Sequence, residues 1–294
     1  MNIAAGLPLL APWLLLAPWL LLAAASAQPL PASAPPAAPP AAPPAAPFAG
    51  RPASAARLPG SAYMSPALQA LQRDDTQNPA QLWVAEGQAL WQRAAANGRR
   101  CADCHALSDG PAPRHLASAA ARHPVWDAAR GRPINLPGRI NQCRVQHLQL
   151  PAQGPEGGEV LALGALLAQQ SRGQVLRMAD APGTAPGMAA WVAQGEALWR
   201  SRLGQLNLAC MHCHDQRAGQ RLGGAPIPQA HPTGYPIYRL EWQALGSLQR
   251  RLRGCLVGVR AEPWPPSADE WLALETYLAR RAAGLLHEGV GLRP

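Results

Sequence analysis

The chain has 294 residues, 33 of them proline and 27 glycine, and a formal charge of +9 in which every basic residue is arginine. That charge attracts anions or an acidic protein surface, but the arginines are scattered along an exported chain, which argues against nucleic-acid binding. Aromatic residues other than tryptophan are few and alanine and leucine abundant, which favours helices over sheet.

An apolar run from Ile3 to Ala27 ends in Ala25-Ser26-Ala27, a small-x-small cleavage site, so residues 1–27 read as a secretory signal peptide. The first residues hold no Lys or Arg, which leaves an uncleaved anchor as the alternative; Pro8, Pro12 and Pro18 count against a regular spanning helix. Either reading exports the chain, in a bacterium to the periplasm, and no stable membrane association is expected. Residues 28–65 are dominated by Pro, Ala, Gly and Ser and read as an extended tether without a core.

The rest repeats itself. Trp83-Val-Ala-Glu-Gly-Gln-Ala-Leu-Trp91 returns as Trp191-Val-Ala-Gln-Gly-Glu-Ala-Leu-Trp199, and Glu159-Val-Leu-Ala-Leu-Gly-Ala-Leu-Leu-Ala168 as Glu270-Trp-Leu-Ala-Leu-Glu-Thr-Tyr-Leu-Ala279. Both segments carry helical spacing: Trp, Gly, Leu and Trp at i, i+4, i+7 and i+8 in the first, and Val160, Leu163 and Leu167 in the second. Gly87 and Gly195 admit close approach of another helix backbone. The expected fold is all-α, two tandem class I cytochrome c-like domains over residues 66–178 and 179–294.

Between the helices of each repeat stands Cys-x-x-Cys-His, as Cys101-Ala-Asp-Cys104-His105 and Cys210-Met-His-Cys213-His214. Two thiols at this spacing add to the two vinyl groups of one porphyrin, and the next histidine ligates the iron. A zinc site would need paired knuckles and leaves that histidine without a function. Two covalently bound haem c groups are therefore expected, on Cys101 and Cys104 with His105, and on Cys210 and Cys213 with His214.

The distal ligands are less direct. The second repeat has no methionine beyond Met211, which lies inside the attachment motif, and the first offers only Met178, far downstream. Cys143 follows His105 by 38 residues and Cys255 follows His214 by 41. This matched register favours thiolate ligation in each domain; a Cys143–Cys255 disulfide is the alternative in an oxidising compartment. Among the histidines, His147 reads as a surface or core residue, and His231 as a loop-ordering residue or a rival ligand. His115, His123 and His287 have no distinguishing neighbours. Around Cys255 stand Arg250, Arg251, Arg253 and Arg260, either a solvated basic face or an anion pocket beside a reactive sulfur. On a helix, Arg251 would share a face with Cys255 one turn away.

From about Asp74 to Gly284 the sequence is similar to SoxA, the diheme cytochrome subunit of the thiosulfate-oxidising Sox system. The resemblance is carried by Asn78-Pro79, by Cys210-Met-His-Cys-His-Asp215, by the run from Ile227 to Gln243 that includes Tyr-Arg-Leu-Glu-Trp, by Arg251-x-x-x-Cys255, and by Gly258-Val-Arg-Ala-Glu-Pro263. It implies an L-cysteine S-thiosulfotransferase paired with the small cytochrome SoxX. Such an enzyme couples thiosulfate oxidatively to a cysteine of the carrier SoxY and passes two electrons to a cytochrome c acceptor. It further implies that Cys255 is the catalytic cysteine, found as a persulfide and also the distal ligand of the second haem. Arg251 would then bind substrate, and Cys143 would be the distal ligand of the first haem. A plain diheme electron carrier, a cytochrome c peroxidase and a non-catalytic scaffold are the rival readings.

Overall fold

The computed structural model describes residues 56–105, 116–177 and 186–294; the expected signal peptide, most of the tether, His115 and Met178 lie outside the described residues. Helices α1 (Pro66–Arg73), α2 (Gln81–Gln92), α3 (Ala119–Arg122), α4 (Leu136–Leu148) and α5 (Gly158–Gln170) make the first repeat. Helices α6 (Pro186–Arg200), α7 (Cys210–His214), α8 (Leu248–Gly258) and α9 (Asp269–Ala282) make the second.

The helix crossings follow from the two glycines. On Gly87 of α2 a Cβ would run into the Ala162 carbonyl oxygen of α5, and on Gly195 of α6 into the Ala273 carbonyl oxygen of α9. Only a residue without a side chain lets the backbones meet there. Leu90 and Trp91 then pack with Val160, Leu163, Leu166 and Leu167, while Trp199 packs with Leu274, Tyr277 and Leu278. The helix-spaced stripes are therefore core.

The fold is mostly helical but departs from the all-α expectation by three small sheets. Strands β1 (Val125–Asp127) and β2 (Arg132–Ile134) form an antiparallel hairpin. Strands β3 (Arg221–Leu222) and β4 (Ala225–Pro226) form another, and β5 (Ile237–Arg239) pairs antiparallel with β6 (Ala244–Gly246). The chain end returns as β7 (Gly291–Arg293), parallel to β5. Strands of two or three residues are too short to print an alternating pattern in sequence, which is why the glycine- and proline-rich stretches conceal them. Their role is positional: β2 runs into Asn135, whose side chain accepts a hydrogen bond from Gly138 N and caps α4. Likewise β6 runs into Ser247, whose side chain accepts from Arg250 N and caps α8.

One stripe of α5 was legible, but this helix is buried on both sides. Leu161 and Ala165 pack with Tyr238, Leu245, Val290 and Leu292 of the second repeat, so the repeats share a hydrophobic cluster. Ordered chain also begins ahead of the expected boundary at residue 66. Leu58 N donates to Gln229 Oε1 at 2.8 Å, a 3-10 turn covers Gly60–Tyr63, and Met64 is buried. Among the described residues no helix is long and apolar enough to cross a membrane.

Candidate functional site

Each Cys-x-x-Cys-His sequence occupies one tight turn. Cys101–Asp103 is a 3-10 turn in which the Cys104 and His105 amides both donate to the Cys101 carbonyl, at 3.2 and 3.1 Å. Arg100 N and side chain bind Asp103, which ties the start of the turn. In the second repeat the motif is the whole of α7. The two histidines are placed alike: the Trp91 and His105 ring centroids are 5.9 Å apart, those of Trp199 and His214 5.7 Å. The last tryptophan of the first repeated segment thus supports the histidine of the motif in both halves.

Around His214 the support continues outward. Its Nδ1 lies 2.7 Å from the Pro228 carbonyl oxygen, which calls for a proton on Nδ1 and leaves Nε2 as the lone-pair atom. Trp199 Nε1 donates to Asp215 Oδ2 at 2.8 Å, Arg281 donates to Asp215 Oδ1 at 2.6 Å, and the Arg281 guanidinium lies 4.3 Å from the Trp199 ring centre. Burial holds His214 below the usual imidazole range, helped by the positive charge of Arg251.

Cys143 and Cys255 come to equivalent places. Each sits in the helix that follows a hairpin, Cys143 in α4 and Cys255 in α8. Burial raises the Cys101 thiol, and the charge of Cys143 raises it further. In the second half burial pushes Cys210 up to about 11, with Cys255 adding to the shift, and Cys213 responds the same way. Each extra cysteine is thus electrostatically coupled to the motif of its own repeat, and no disulfide joins Cys143 to Cys255.

The arginines sort themselves. Arg251 lies one turn before Cys255 on α8; burial disfavours its charge, but Cys255, Tyr235 and Glu241 together lift its pKa above the ordinary value. Arg250 turns away, 4.2 Å from the Trp242 ring centre and 3.8 Å from Glu156, while Arg253 and Arg260 are exposed. The expected cationic pocket therefore narrows to Arg251 on this helix. A second cation comes from elsewhere: Arg239 of β5 is lowered first by burial and then by the charge of Arg251. Tyr235 is raised by burial, opposed by Arg251. Sequence reasoning passed over Arg239 and Tyr235; both stand in the run from Ile227 to Gln243, whose density of aromatic and basic residues was the available signal.

The remaining histidines separate as well. His147 is exposed. His231 is buried with Nδ1 2.7 Å from the Leu58 carbonyl oxygen, a loop-ordering contact. His212 Nδ1 accepts from Ala209 N at 3.0 Å, at the start of α7.

The model of the SoxA/TsdA cytochrome c domain matches this chain twice, over residues 86–176 and 194–286. The SoxA subunit of L-cysteine S-thiosulfotransferase from Allochromatium vinosum is 36% identical over 212 residues, covering 71% of this chain and 72% of that one. The chain belongs to the SoxA family. The SoxA subunit from Paracoccus pantotrophus is 31% identical over 224 residues, 76% of this chain and 74% of its own. The crystal structure of SoxXA from P. pantotrophus superposes with a TM-score of 0.73 at 30% identity, covering 81% of this chain and 87% of that chain.

Membership in a cytochrome c family carries covalent haem c with it, and the residues fit such a group. Two thiols share one turn in each motif, the His214 imidazole of the second has its Nδ1 engaged by a backbone carbonyl, and a cysteine of the following helix is coupled to each motif. Among the described residues no three His, Cys, Asp or Glu side chains gather to hold an ion by themselves.

Proposed function

We propose that this SoxA-family chain carries two haem c groups, one in each of two tandem cytochrome c domains. Cys101 and Cys104 would attach the first, with His105 and Cys143 as its axial ligands. Cys210 and Cys213 would attach the second, with His214 and Cys255. The chain would work in the periplasm with a SoxX-type small cytochrome, on a SoxY-type carrier protein. The observation that carries the catalytic reading is the placing of Arg251 one turn from Cys255 on α8, where the charge of Cys255 raises Arg251 and that of Arg251 also reaches His214.

The chemistry follows from the charges. Thiosulfate is a dianion, and the guanidinium of Arg251 offers paired donors to its oxygens while leaving the terminal sulfur toward Cys255. Joining thiosulfate to a carrier thiol forms one sulfur–sulfur bond and releases the thiol proton and two electrons. Bound haem supplies one-electron acceptance, so the two electrons leave singly to an external cytochrome c. The Pro228 carbonyl holds His214 in one tautomer, and Trp199, itself held by Asp215, packs on its ring.

The test is thiosulfate-dependent reduction of ferric cytochrome c by the matured chain with its small cytochrome partner and carrier protein, wild type beside Cys255→Ala. Activity in wild type alone, with two hemes attached in both, supports the thiosulfotransferase assignment at Cys255. Equal rates in both would return the chain to an electron carrier.

A further inference from the structure

The two repeats meet over a cavity of about 120 Å³, away from the turns that carry the Cys-x-x-Cys-His motifs. Equivalent pieces of each repeat build it: His123-Pro124 and Tyr235-Pro236, Asn135 and Ser247, Gly164 and Glu275. The last pair breaks the symmetry. Where α5 has Gly164, with no side chain, the matching position of α9 places a carboxyl group that is 8% exposed. Glu275 Oε2 accepts from Asn135 Nδ2 of the opposite repeat at 2.7 Å.

Among the described residues no cation shifts this carboxyl, and Arg177 at the cavity wall is exposed. The elements packed on α9 are α6, α8 and β2. On α6, Glu196 pairs with Arg200; on β2, Arg132 pairs with Asp269. On α8, Arg250 faces Glu156 and Trp242, Arg251 is coupled to Cys255, and Arg253 is exposed. The other titratable groups of the cavity wall are His123, Arg177, Tyr235 and His287. His123 gives its Nδ1 to the Ala119 carbonyl oxygen at 2.7 Å, and its buried Nε2 has no protein partner; His287 Nδ1 accepts from Gly289 N at 3.1 Å. Burial takes both imidazoles down to about 4, so they are neutral at pH 7. The same burial raises Glu275 to about 7, opposed only by the Asn135 hydrogen bond. The cavity has room for several water molecules, and polar groups to hold them.

We propose that Glu275 is a proton-binding site linked to the oxidation state of the bound haem. It takes up a proton when an electron enters the chain and releases it when the electron leaves. The inference rests on the haem-bearing reading above. In balance, the bound haem would accept one electron from thiosulfate coupling while one proton from solvent converts the Glu275 carboxylate to the acid, so the interior gains no net charge. The outgoing electron reverses both changes. At an effective dielectric of about 20, a negative charge about 12 Å from a carboxyl would raise its proton affinity about tenfold, and a more distant one less. A group titrating near neutrality converts that into real uptake. Asn135 transmits the change further, because it caps the helix that carries Cys143.

The experiment is spectroelectrochemical titration of the matured chain with its small cytochrome partner between pH 5.5 and 8.5, wild type beside Glu275→Gln. Reduced-minus-oxidised infrared spectra are recorded on the same samples. Expected is a wild-type potential that falls as pH rises through neutrality, with a protonated-carboxyl band gained on reduction. In E275Q the slope around neutrality flattens and the band is lost. Equal slopes and equal carboxyl bands in the two proteins would overturn the proposal. If E275Q does not mature, glutamate-labelled wild type decides it: a reduced-minus-oxidised spectrum with no glutamate carboxyl band overturns it. A count other than two thioether-bound hemes would sink the haem-bearing reading instead; full attachment and turnover with a pH-independent potential would sink only the Glu275 site.

Discussion

Glu156, on the loop before α5, accepts a hydrogen bond at 3.1 Å from the backbone amide of Ser247, the residue that caps α8 in the other repeat. In the other direction Glu275 accepts from the side-chain amide of Asn135, the residue that caps α4. Each repeat therefore braces, with one carboxylate, the N-terminus of the helix on which the opposite repeat carries Cys143 or Cys255. A carboxylate at a helix N-terminus satisfies an otherwise unpaired amide and opposes the helix dipole.

Replacing Glu156 with Ala should therefore loosen α8 rather than α4. The lost contact is worth about 1 kcal/mol, or a fall in Tm of roughly 2–4 °C for a domain of this size. Thermal unfolding of the haem-loaded protein measures that loss. If each repeat holds a haem as proposed, the absorption bands of the second should be perturbed and those of the first unchanged; equal perturbation of both would contradict the directional brace.

The crossing of α6 with α9 gives a sharper stability test. Gly195→Ala would drive a methyl group into the Ala273 carbonyl oxygen and the Tyr277 side chain, and backbone does not yield as a flexible side chain does. A cost of about 1–3 kcal/mol follows, against a small gain in helix propensity. Gly258→Ala, near the end of α8 in open space, is the control that should lose little. Urea unfolding of both variants beside wild type separates clash from propensity.

These contacts mark where sequence stops informing. The repeats, the crossing glycines and the matched register of Cys143 and Cys255 were readable because each is a local pattern with a fixed period or spacing. The hairpins were not, because three-residue strands are specified by what they pair with. Glu275 was invisible for a related reason. It stands in the same Leu-Ala-Leu-x register as Gly164, and only the packing of one repeat on the other makes that position part of a cavity wall. His123 and His287 had no distinguishing neighbours in sequence, yet both line that cavity. Arg239 joins Arg251 only through the fold of β5 beside α8.

The Arg251 position is tested by charge and by shape separately. Arg251→Ala should raise the KM for thiosulfate by one to two orders of magnitude, the loss of about 1.5–3 kcal/mol expected for a charge-assisted hydrogen bond. Arg251→Lys restores the charge but not the paired donors, and should recover only part of it. Steady-state cytochrome c reduction over a range of thiosulfate concentrations reads both. Unchanged KM in the alanine variant would remove Arg251 from substrate binding.

Stability against pH should carry two opposed slopes from the cavity. His287 is 3% exposed and lowered to about 4 from 6.5, so its folded pKa lies below its unfolded one. Between these values the unfolded chain binds more protons, and stability falls as pH drops from about 6.5 to 4. Glu275 is raised to about 7 from 4.5, so the folded chain binds more protons, and stability falls as pH rises from 4.5 to 7. Glu275→Gln keeps the acceptor for Asn135 and removes the second slope. It should match wild type near pH 4.5 and exceed it by on the order of 2–3 kcal/mol at pH 8. His287→Gln should reduce the acid limb without abolishing it, because buried His123 is lowered to about 4 in the same way, and should leave the Glu275 slope unchanged. Urea unfolding at half-unit pH steps checks both, and an E275Q curve parallel to wild type across the whole range would contradict a buried, unpaired carboxyl at that position.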